Sequence, residues 1–154
     1  MSSPTPNYSI HSIVAAYGLG LVPHGYYLVK MMANFNGVAS NILPQENLTT
    51  LKAKLPAKVW TSLAKARGAH LNAMENLPLF AVVMLAGNVA KLPTSELNTL
   101  SLEYLGARLL SMAAYMSARS EALSFVRTGL CAWSVSIPVS ALVKAGKALG
   151  YGQE

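Results

Sequence analysis

Lys65–Phe80, with the sequence KARGAHLNAMENLPLF, decides the fold. The stretch opens an apolar run that continues to Ala90, yet it holds a carboxylate and two amides inside that run. These are Glu75, Asn72 and Asn76. An α-helix advances about 3.6 residues per turn, so the three side chains share one helical face. Ionisable groups within membrane helices are rare and usually line a bundle interior or a ligand cavity. The stretch therefore predicts a membrane-embedded helix that supplies one wall of a polar site.

The composition is typical of a membrane protein. The chain has 154 residues, of which 53% are apolar and 12% charged, and that charged share is about half the share usual in soluble domains. Mean hydropathy is +0.37. The net charge of +6 comes from basic residues that alternate with apolar spans instead of forming one polar face. We therefore expect the lipid bilayer as a partner and do not expect nucleic acid.

Four apolar segments predict four helices of near-spanning length. Their approximate bounds are residues 8–32, 66–90, 96–116 and 123–142. Residues 33–65 are predicted to form a loop with a short helical portion, because Asn and Gly residues break the apolar pattern and Pro44 and Pro56 punctuate it. The expected fold is an all-α integral membrane four-helix bundle, with residues 1–154 in a single domain.

Basic residues are distributed unequally between the two ends of the predicted bundle. Five of them fall between positions 52 and 67, whereas the opposite side has Lys91, Lys144 and Lys147. Cytoplasmic loops of multi-pass proteins favour Lys and Arg. The loop 33–65 is therefore predicted to be cytosolic and both termini lumenal or external. The expected location is the endoplasmic reticulum or another endomembrane.

Polar residues of three predicted helices fall at one depth. The second and fourth helices start at the cytosolic side, which puts Glu75 and Arg127 in the cytosolic part of the bundle. The third helix ends at that side and carries Arg108, Ser111 and Tyr115, whose spacing of i, i+3 and i+7 gives them one shared face. The sequence therefore predicts that the three helices deliver polar side chains to one layer.

Two interpretations of this polar layer are open, and they overlap. In the first, Glu75 neutralises Arg108 or Arg127 in an internal network that fixes helix packing, because a buried charge persists only when it is paired. In the second, the layer is a cytosol-facing pocket for an anionic ligand, because basic groups outnumber Glu75. These groups are Arg108, Arg127, His70 and Arg67. Such a pocket has capacity for carboxylates, a thiolate or an enolate.

No metal site is indicated by the sequence. His11, His24 and His70 are separated and lack the spacing of metal ligands. The single Cys131 excludes an intrachain disulfide and any cysteine-based zinc site. Because Cys131 sits in an apolar run, we interpret it as a small buried hydrophobic residue.

At the residues of the polar layer the chain resembles the MAPEG family, the membrane-associated proteins of eicosanoid and glutathione metabolism. The second-helix pattern of that family resembles Arg-x-x-Arg-Ala-x-x-Asn-x-x-Glu, often followed by Asn-Leu-Pro-x-Phe. Lys65–Phe80 reads KARGAHLNAMENLPLF at this place. A second match comprises Ala107, Arg108 and Tyr115, and it is followed by Arg127 with Thr128. The resemblance covers most of the chain, and we describe the chain as similar to the microsomal glutathione transferases of that family.

The resemblance implies a homotrimer of four-helix bundles with glutathione bound between neighbouring subunits, near the cytosolic face. It implies that Asn72 and Glu75 hold the tripeptide and that Tyr115 orients it. Arg127 matches the arginine associated with the glutathione thiolate, with Thr128 where a serine or threonine is usual. The other candidate positions for glutathione binding are Arg67, His70 and Arg108, which are basic groups of the polar layer. The substrate class that it implies is a lipophilic electrophile.

The chain departs from the family pattern at three positions. Gly68 stands where the family usually has its second arginine, and Lys65 replaces the first. Arg67 is adjacent to Gly68 but lies about 100° around the helix. Cys131 stands where an aromatic residue often follows the fourth-helix arginine.

Three functions are compatible with these residues. The leading hypothesis is a glutathione-dependent transferase, peroxidase or isomerase that acts on a lipophilic electrophile from the bilayer. The second is a glutathione-independent cyclase or isomerase of a hydrophobic metabolite on the same scaffold, which the departure at Gly68 favours. The third is a non-catalytic membrane partner or lipid-binding protein, and the joint presence of Asn72, Glu75 and Arg127 argues against it.

Overall fold

The computed structural model describes residues 5–34, 40 and 42–150, and it is all-α over those residues. Four long helices and one short one follow each other along the chain. They are α1 (Ser9–Ala33), α2 (Asn47–Thr50), α3 (Ala57–Val89), α4 (Thr94–Ser117) and α5 (Glu121–Gly150). The predicted loop residues 35–39 and 41, and the predicted ends of the domain at 1–4 and 151–154, lie outside the described residues. For those segments the sequence-based statements stay predictions.

The second long helix begins earlier than predicted, at Ala57 instead of residue 66. Pro56 precedes it with a ψ of 137°, so the chain is extended immediately before the first turn. The turns that follow are buried against α1 and α2: Leu63 is fully buried, and the indole nitrogen of Trp60 donates to the Leu48 carbonyl at 2.8 Å. An apolar-run criterion misses this segment because exposed residues such as Lys58 and Thr61 interrupt its buried positions.

The last helix is also longer than predicted, because α5 runs from Glu121 to Gly150 instead of from 123 to 142. Ala145 is buried, and the Lys144 ammonium forms an ion pair of 2.5 Å with the Glu96 carboxylate at the start of α4. Lys and Ala are also good helix formers. Packing and propensity together therefore continue the helix past the end of the apolar run.

Helix α3 is the central element, since it packs against α1, α4 and α5. The main core cluster comes from α3, α4 and α5, and within it the rings of Phe80 and Tyr104 stack with centroids 3.9 Å apart. A second cluster joins α1 to α2 and the start of α3 around Tyr27 and Leu63. Gly87 allows the close approach of α4, because a Cβ at this position would lie 2.6 Å from Cδ2 of Leu97.

Both ends of the described chain lie at the end of the bundle where α3 turns into α4. The Asn7 amide donates to Oδ1 of Asn88, near the end of α3, at 2.7 Å. The ion pair of Lys144 with Glu96 brings the end of α5 to the start of α4. The predicted arrangement, with the N-terminal and C-terminal parts on one side, is confirmed. The side of the membrane that they face stays a prediction.

Two of the described helices, α3 and α5, are long and apolar enough to cross a membrane. Helices α1 and α4 do not meet the same test of length and hydropathy, so the prediction of four such helices is supported for two. The polar content of α4 explains its lower hydropathy, since it carries Glu96, Glu103 and Arg108. Large apolar side chains such as Leu85, Leu110 and Phe125 are nevertheless exposed along the bundle. An exterior of this kind suits a lipid environment.

Candidate functional site

Arg108 of α4 lies at the centre of the polar layer and connects three helices. Its side chain is buried, with 7% of its surface exposed. Nη2 donates to Oδ1 of Asn72 on α3 at 2.8 Å, and Nη1 donates to Oγ of Ser134 on α5 at 3.2 Å. Among the described residues no carboxylate lies within ion-pair distance of this guanidinium. The positive charge of Arg108 is therefore met by an amide and a hydroxyl, which are neutral.

Asn72 and Ser134 tie Cys131 to the same network. The Asn72 amide nitrogen lies 3.5 Å from the Cys131 sulfur, and the Ser134 hydroxyl donates to the Cys131 carbonyl at 2.7 Å. Cys131 is half-buried beside polar groups, so the interpretation of it as a small buried hydrophobic residue was wrong. Sequence reasoning also missed Ser134. The spacing of Arg127, Cys131 and Ser134 at i, i+4 and i+7 places them on one face of α5 and was the available signal.

A small cavity between α1, α3 and α4 adjoins Arg108. Its volume is about 10 Å³, and its polar lining includes Asn72, Arg108, Ser111 and Tyr115. The predicted shared face of Arg108, Ser111 and Tyr115 is therefore confirmed. A cavity of this volume accommodates about one water molecule. It extends the polar layer towards α1 without offering room for a larger molecule.

Tyr115 and Arg127 form a stacked pair between α4 and α5. The guanidinium carbon of Arg127 lies 4.7 Å from the centroid of the Tyr115 ring, a geometry in which a cation is attracted to the ring face. Nη2 of Arg127 also donates to the Ser124 hydroxyl at 3.0 Å. Thr128 is exposed and donates to the Ser124 carbonyl at 3.0 Å. Arg127 is thus oriented by two neutral groups, and among the described residues it has no carboxylate partner.

Gly68 provides the space into which Tyr115 fits. A Cβ at Gly68 would lie 2.3 Å from the Tyr115 hydroxyl oxygen and 2.8 Å from Cζ, which are distances that real side chains do not adopt. The tyrosine therefore occupies the volume where any side chain at position 68 would begin. This explains in structural terms how the departure at Gly68 is accommodated.

Glu75 lies at the edge of the polar layer and is exposed on the surface of the chain. Within the described part of the chain it has no ion-pair partner. The interpretation in which Glu75 neutralises Arg108 or Arg127 is therefore wrong for the isolated chain. Asn72 is the next polar residue one turn earlier, and its shorter amide reaches Arg108.

Arg67 and His70 project away from this network. Nη1 of Arg67 donates to the Gln45 carbonyl at 2.5 Å, which braces the loop before α2. Nδ1 of His70 lies 2.9 Å from the Gly20 carbonyl of α1. Of the sequence-predicted site residues, the structure joins Asn72 to Arg108 directly and Tyr115 to Arg127. It leaves Glu75, Arg67, His70 and Thr128 at the periphery.

Two of the three histidines, His24 and His70, lie close together in space although they are distant in the sequence. The rings of His24 and His70 lie with their centroids 4.6 Å apart between α1 and α3. In the described segments no three residues of the His, Cys, Asp and Glu types cluster closely enough to hold a metal ion.

Comparison with known proteins identifies the family of the chain. The model of the MAPEG family matches residues 10–146, which include all five helices except the ends of α1 and α5. The chain belongs to the MAPEG family. MAPEG proteins are membrane-associated, and the family includes glutathione transferases and related enzymes. No curated protein and no solved structure matches the chain significantly.

The family match contains the whole polar layer. Asn72, Arg108, Tyr115 and Arg127 all fall inside the matched residues 10–146. The membrane setting of the MAPEG family makes the buried guanidinium of Arg108 costly, because a charge in a bilayer is stable only within a bundle or beside a polar cavity.

Proposed function

We propose that the protein is a membrane-embedded, glutathione-dependent transferase, peroxidase or isomerase that acts on a lipophilic electrophile. The observation that carries this proposal is the unbalanced positive charge of the polar layer. Arg108 and Arg127 both contact neutral groups, and neither has a carboxylate partner among the described residues. An anionic ligand would supply the missing negative charge.

Glutathione fits the charge of this layer but not the interior of a single chain. The tripeptide carries carboxylates and a thiol, which arginine and amide groups bind. Sites for ligands of this size have volumes of about 300–1,000 Å³, whereas the cavity beside Arg108 has about 10 Å³. Glutathione would therefore bind at the outer edge of the layer, where Glu75 is exposed and Arg127 is half-buried.

A second copy of the chain would complete such a site. An exposed carboxylate and a half-exposed guanidinium in membrane helices are unfavourable against hydrocarbon, so a polar or protein surface has to cover them. A homotrimer, as the family resemblance implies, would enclose Glu75 and Arg127 between neighbouring subunits. The hydrophobic substrate would then enter from the bilayer beside the interface.

Each residue of the layer would have its own role in binding or activating glutathione. Asn72 and Glu75 would hold the peptide part of glutathione, with Arg108 as a further contact and Arg67, His70 and Thr128 at the rim. Tyr115 would orient the ligand. A free thiol has a pKa of about 8.5 and is mostly protonated at neutral pH, and a neighbouring cation lowers that pKa. Arg127 would thereby stabilise the thiolate, which is the nucleophile that attacks the electrophile.

Calorimetric titration of the purified, detergent-solubilised protein with glutathione tests binding. We expect saturable binding at millimolar glutathione or below, weakened at least about tenfold in Asn72→Ala, since a hydrogen bond to a charged group contributes about 1.5–3 kcal/mol. Asn76→Ala is the matched control, because within the described residues the Asn76 amide bonds only to the Asn72 carbonyl of its own helix, at 2.8 Å. Equal losses in both variants, or no binding by the native protein, would contradict the proposal.

The alternative function, a glutathione-independent cyclase or isomerase, is favoured by one observation. Tyr115 fills the space at Gly68 where the family usually has an arginine, so a cation used by relatives is replaced by a phenol. In that case Glu75, His70, Tyr115 and Arg127 would be the candidates for acid–base or hydrogen-bond catalysis on an apolar metabolite. Turnover of a membrane-soluble metabolite without glutathione would decide for this alternative.

A further inference from the structure

A basic groove lies between the first turns of α3 and the end of α4, away from the polar layer. Its volume is about 570 Å³, within the range of small-molecule sites. The α3 side of the groove is formed by Lys58, Thr61, Ser62 and Lys65. These four residues are spaced i, i+3, i+4 and i+7 and share one helical face. Arg119, from the turn after α4, forms the other side.

The lining of this basic groove is positively charged without compensation. Lys58, Lys65 and Arg119 line it, and no carboxylate is among the described residues that do so. The Lys65 ammonium donates to the Ala118 carbonyl, which fixes its position beside the end of α4. Lys58 and Arg119 are exposed and form no ion pair within the described chain. The groove therefore holds three cations and attracts an anion.

Two other cations at this end of the bundle, Lys52 and Arg67, are engaged elsewhere, and Lys54 is not among the residues that line the groove. The Lys52 ammonium lies 5.2 Å from the centroid of the Trp60 ring. Arg67 donates to the Gln45 carbonyl. The groove is thus a distinct arrangement of three cations and is more than a uniformly basic surface.

The length of α3 places the basic groove at the level of lipid headgroups. The apolar run Ala69–Ala90 alone extends about 33 Å at 1.5 Å per residue, which matches the hydrocarbon thickness of about 30 Å. Helix α3 has 33 residues and begins at Ala57. Its first turns, with Lys58 and Lys65, therefore extend beyond the hydrocarbon into the headgroup region.

We propose that the basic groove binds a phosphate ester and that its occupant is the phosphomonoester headgroup of an anionic phospholipid. A phosphomonoester carries a charge of about −1.5 to −2 near neutral pH and three acceptor oxygens, which the three cations that line the groove complement. The hydroxyls of Thr61 and Ser62 donate to carbonyls of their own helix, at 2.8 and 2.9 Å. The cations therefore carry the recognition.

Native mass spectrometry of the full chain from mixed micelles tests this site, with phosphatidic acid as the probe and phosphatidylcholine as the reference lipid. We expect the native protein to retain phosphatidic acid in preference to phosphatidylcholine. The variant Lys58→Gln/Arg119→Gln should bind phosphatidic acid about 30-fold more weakly, since each cation near an anionic lipid contributes a factor of about five. Both side chains are exposed, so the helices should be retained, as circular dichroism would verify.

The matched control is Lys52→Gln/Lys54→Gln, which removes the same charge from the same end of the bundle but outside the groove. It should retain phosphatidic acid within about twofold of the native protein. An equal loss in the two double variants, or no preference over phosphatidylcholine, would overturn the proposal. A third outcome is that the native protein does not bind phosphatidic acid but is saturated by inorganic phosphate, and that only Lys58→Gln/Arg119→Gln loses phosphate binding. That outcome would overturn the phospholipid as the occupant and retain the groove as a phosphate site.

The variant Lys58→Gln/Arg119→Gln also distinguishes the lipid proposal from the glutathione proposal. Among the described residues, Lys58 and Arg119 form no hydrogen bond or ion pair with Asn72, Arg108 or Arg127 and do not line the cavity beside Arg108, so glutathione binding should be unchanged in Lys58→Gln/Arg119→Gln. A failure of lipid binding with intact glutathione binding, or the reverse, therefore identifies which of the two proposals has failed.

Discussion

Arg108 shows how a single residue organises the bundle without an ion pair. Its buried guanidinium contacts the Asn72 amide and the Ser134 hydroxyl from two other helices. Because both partners are neutral, the positive charge of Arg108 is not cancelled by any described residue. A carboxylate partner such as Glu75 would have cancelled that charge.

Ser134→Ala should destabilise the protein by about 1–3 kcal/mol, because it leaves a buried donor of Arg108 without its acceptor. Ser134 is fully buried. The matched control is Ser136→Ala, since in the part of the chain that the structure describes the exposed Ser136 hydroxyl bonds only to the Trp133 carbonyl of its own helix. That control should change stability by less than about 0.5 kcal/mol. Thermal unfolding in detergent measures both variants, and similar midpoints for the two would contradict the role assigned to Arg108.

Gly68→Ala should displace the Tyr115 ring from Arg127, because the new Cβ would lie 2.3 Å from the tyrosine hydroxyl. A cation–π contact at a partly exposed site contributes about 0.5–1 kcal/mol, so we expect the thiolate fraction of bound glutathione at neutral pH to fall about two- to fivefold. Ultraviolet absorbance of the thiolate measures it. Gly106→Ala, where a Cβ meets nothing within 4 Å, is the control. An unchanged thiolate signal in Gly68→Ala would show that the Tyr115–Arg127 stack is not needed.

The polar residues were partly predictable from helical spacing, and the contacts between them were not. The spacing of Arg108, Ser111 and Tyr115 predicted a shared face, which the cavity lining confirms. The pairing of Tyr115 with Gly68 depends on the side-chain direction across two helices, which no spacing within one helix encodes. Spacing also did not predict the exposure of Glu75, because a helical face is wide and its edge can lie outside the bundle.

At the level of elements, α3 carries most of the fold and of the site. It contacts each of the other four helices and holds Asn72 in its middle and Lys58 at its start. The apolar run within α3 was visible in the sequence, whereas the additional turns at Ala57–Lys65 were not, because their burial is provided by α1 and α2. The last turns of α5 were missed for a similar reason, because the start of α4 stabilises them through the ion pair of Glu96 with Lys144.

Gly87→Ala should destabilise the contact between α3 and α4. The added Cβ would lie 2.6 Å from Leu97, whose side chain is buried. Adding a methyl group to a packed core costs about 1–3 kcal/mol. Gly146→Ala on α5 is the matched control, because a Cβ there meets nothing within 4 Å. Thermal unfolding should show a lower midpoint for Gly87→Ala only, and an equal or higher midpoint in that variant would contradict the close packing.

The whole molecule has an apolar exterior that is interrupted by a polar edge. Leu85, Leu110 and Phe125 are exposed as lipid-facing residues would be, whereas Glu75 is exposed where hydrocarbon would be unfavourable. The family and the all-α fold were predictable because the motif at Lys65–Phe80 and the apolar runs are local. The homotrimer that the family resemblance implies stays a prediction, since the surface that would cover Glu75 lies outside the chain.

We expect the protein to form a homotrimer in mild detergent, because neighbouring copies would cover Glu75 and Arg127. Native mass spectrometry of the purified protein measures the number of copies directly. A trimeric mass at micromolar protein agrees with a site between subunits. A stable monomer that still binds glutathione would contradict the need for a second copy.

The formation of thiolate at Arg127 is the most direct test of the glutathione proposal. Ultraviolet difference absorbance near neutral pH should show thiolate when the native protein is saturated with glutathione. The signal should be lost in Arg127→Ala and retained in Arg119→Ala, which removes an arginine outside the polar layer. Full thiolate formation in Arg127→Ala would contradict the role of Arg127. Absence of thiolate in the native protein would contradict the glutathione chemistry as a whole.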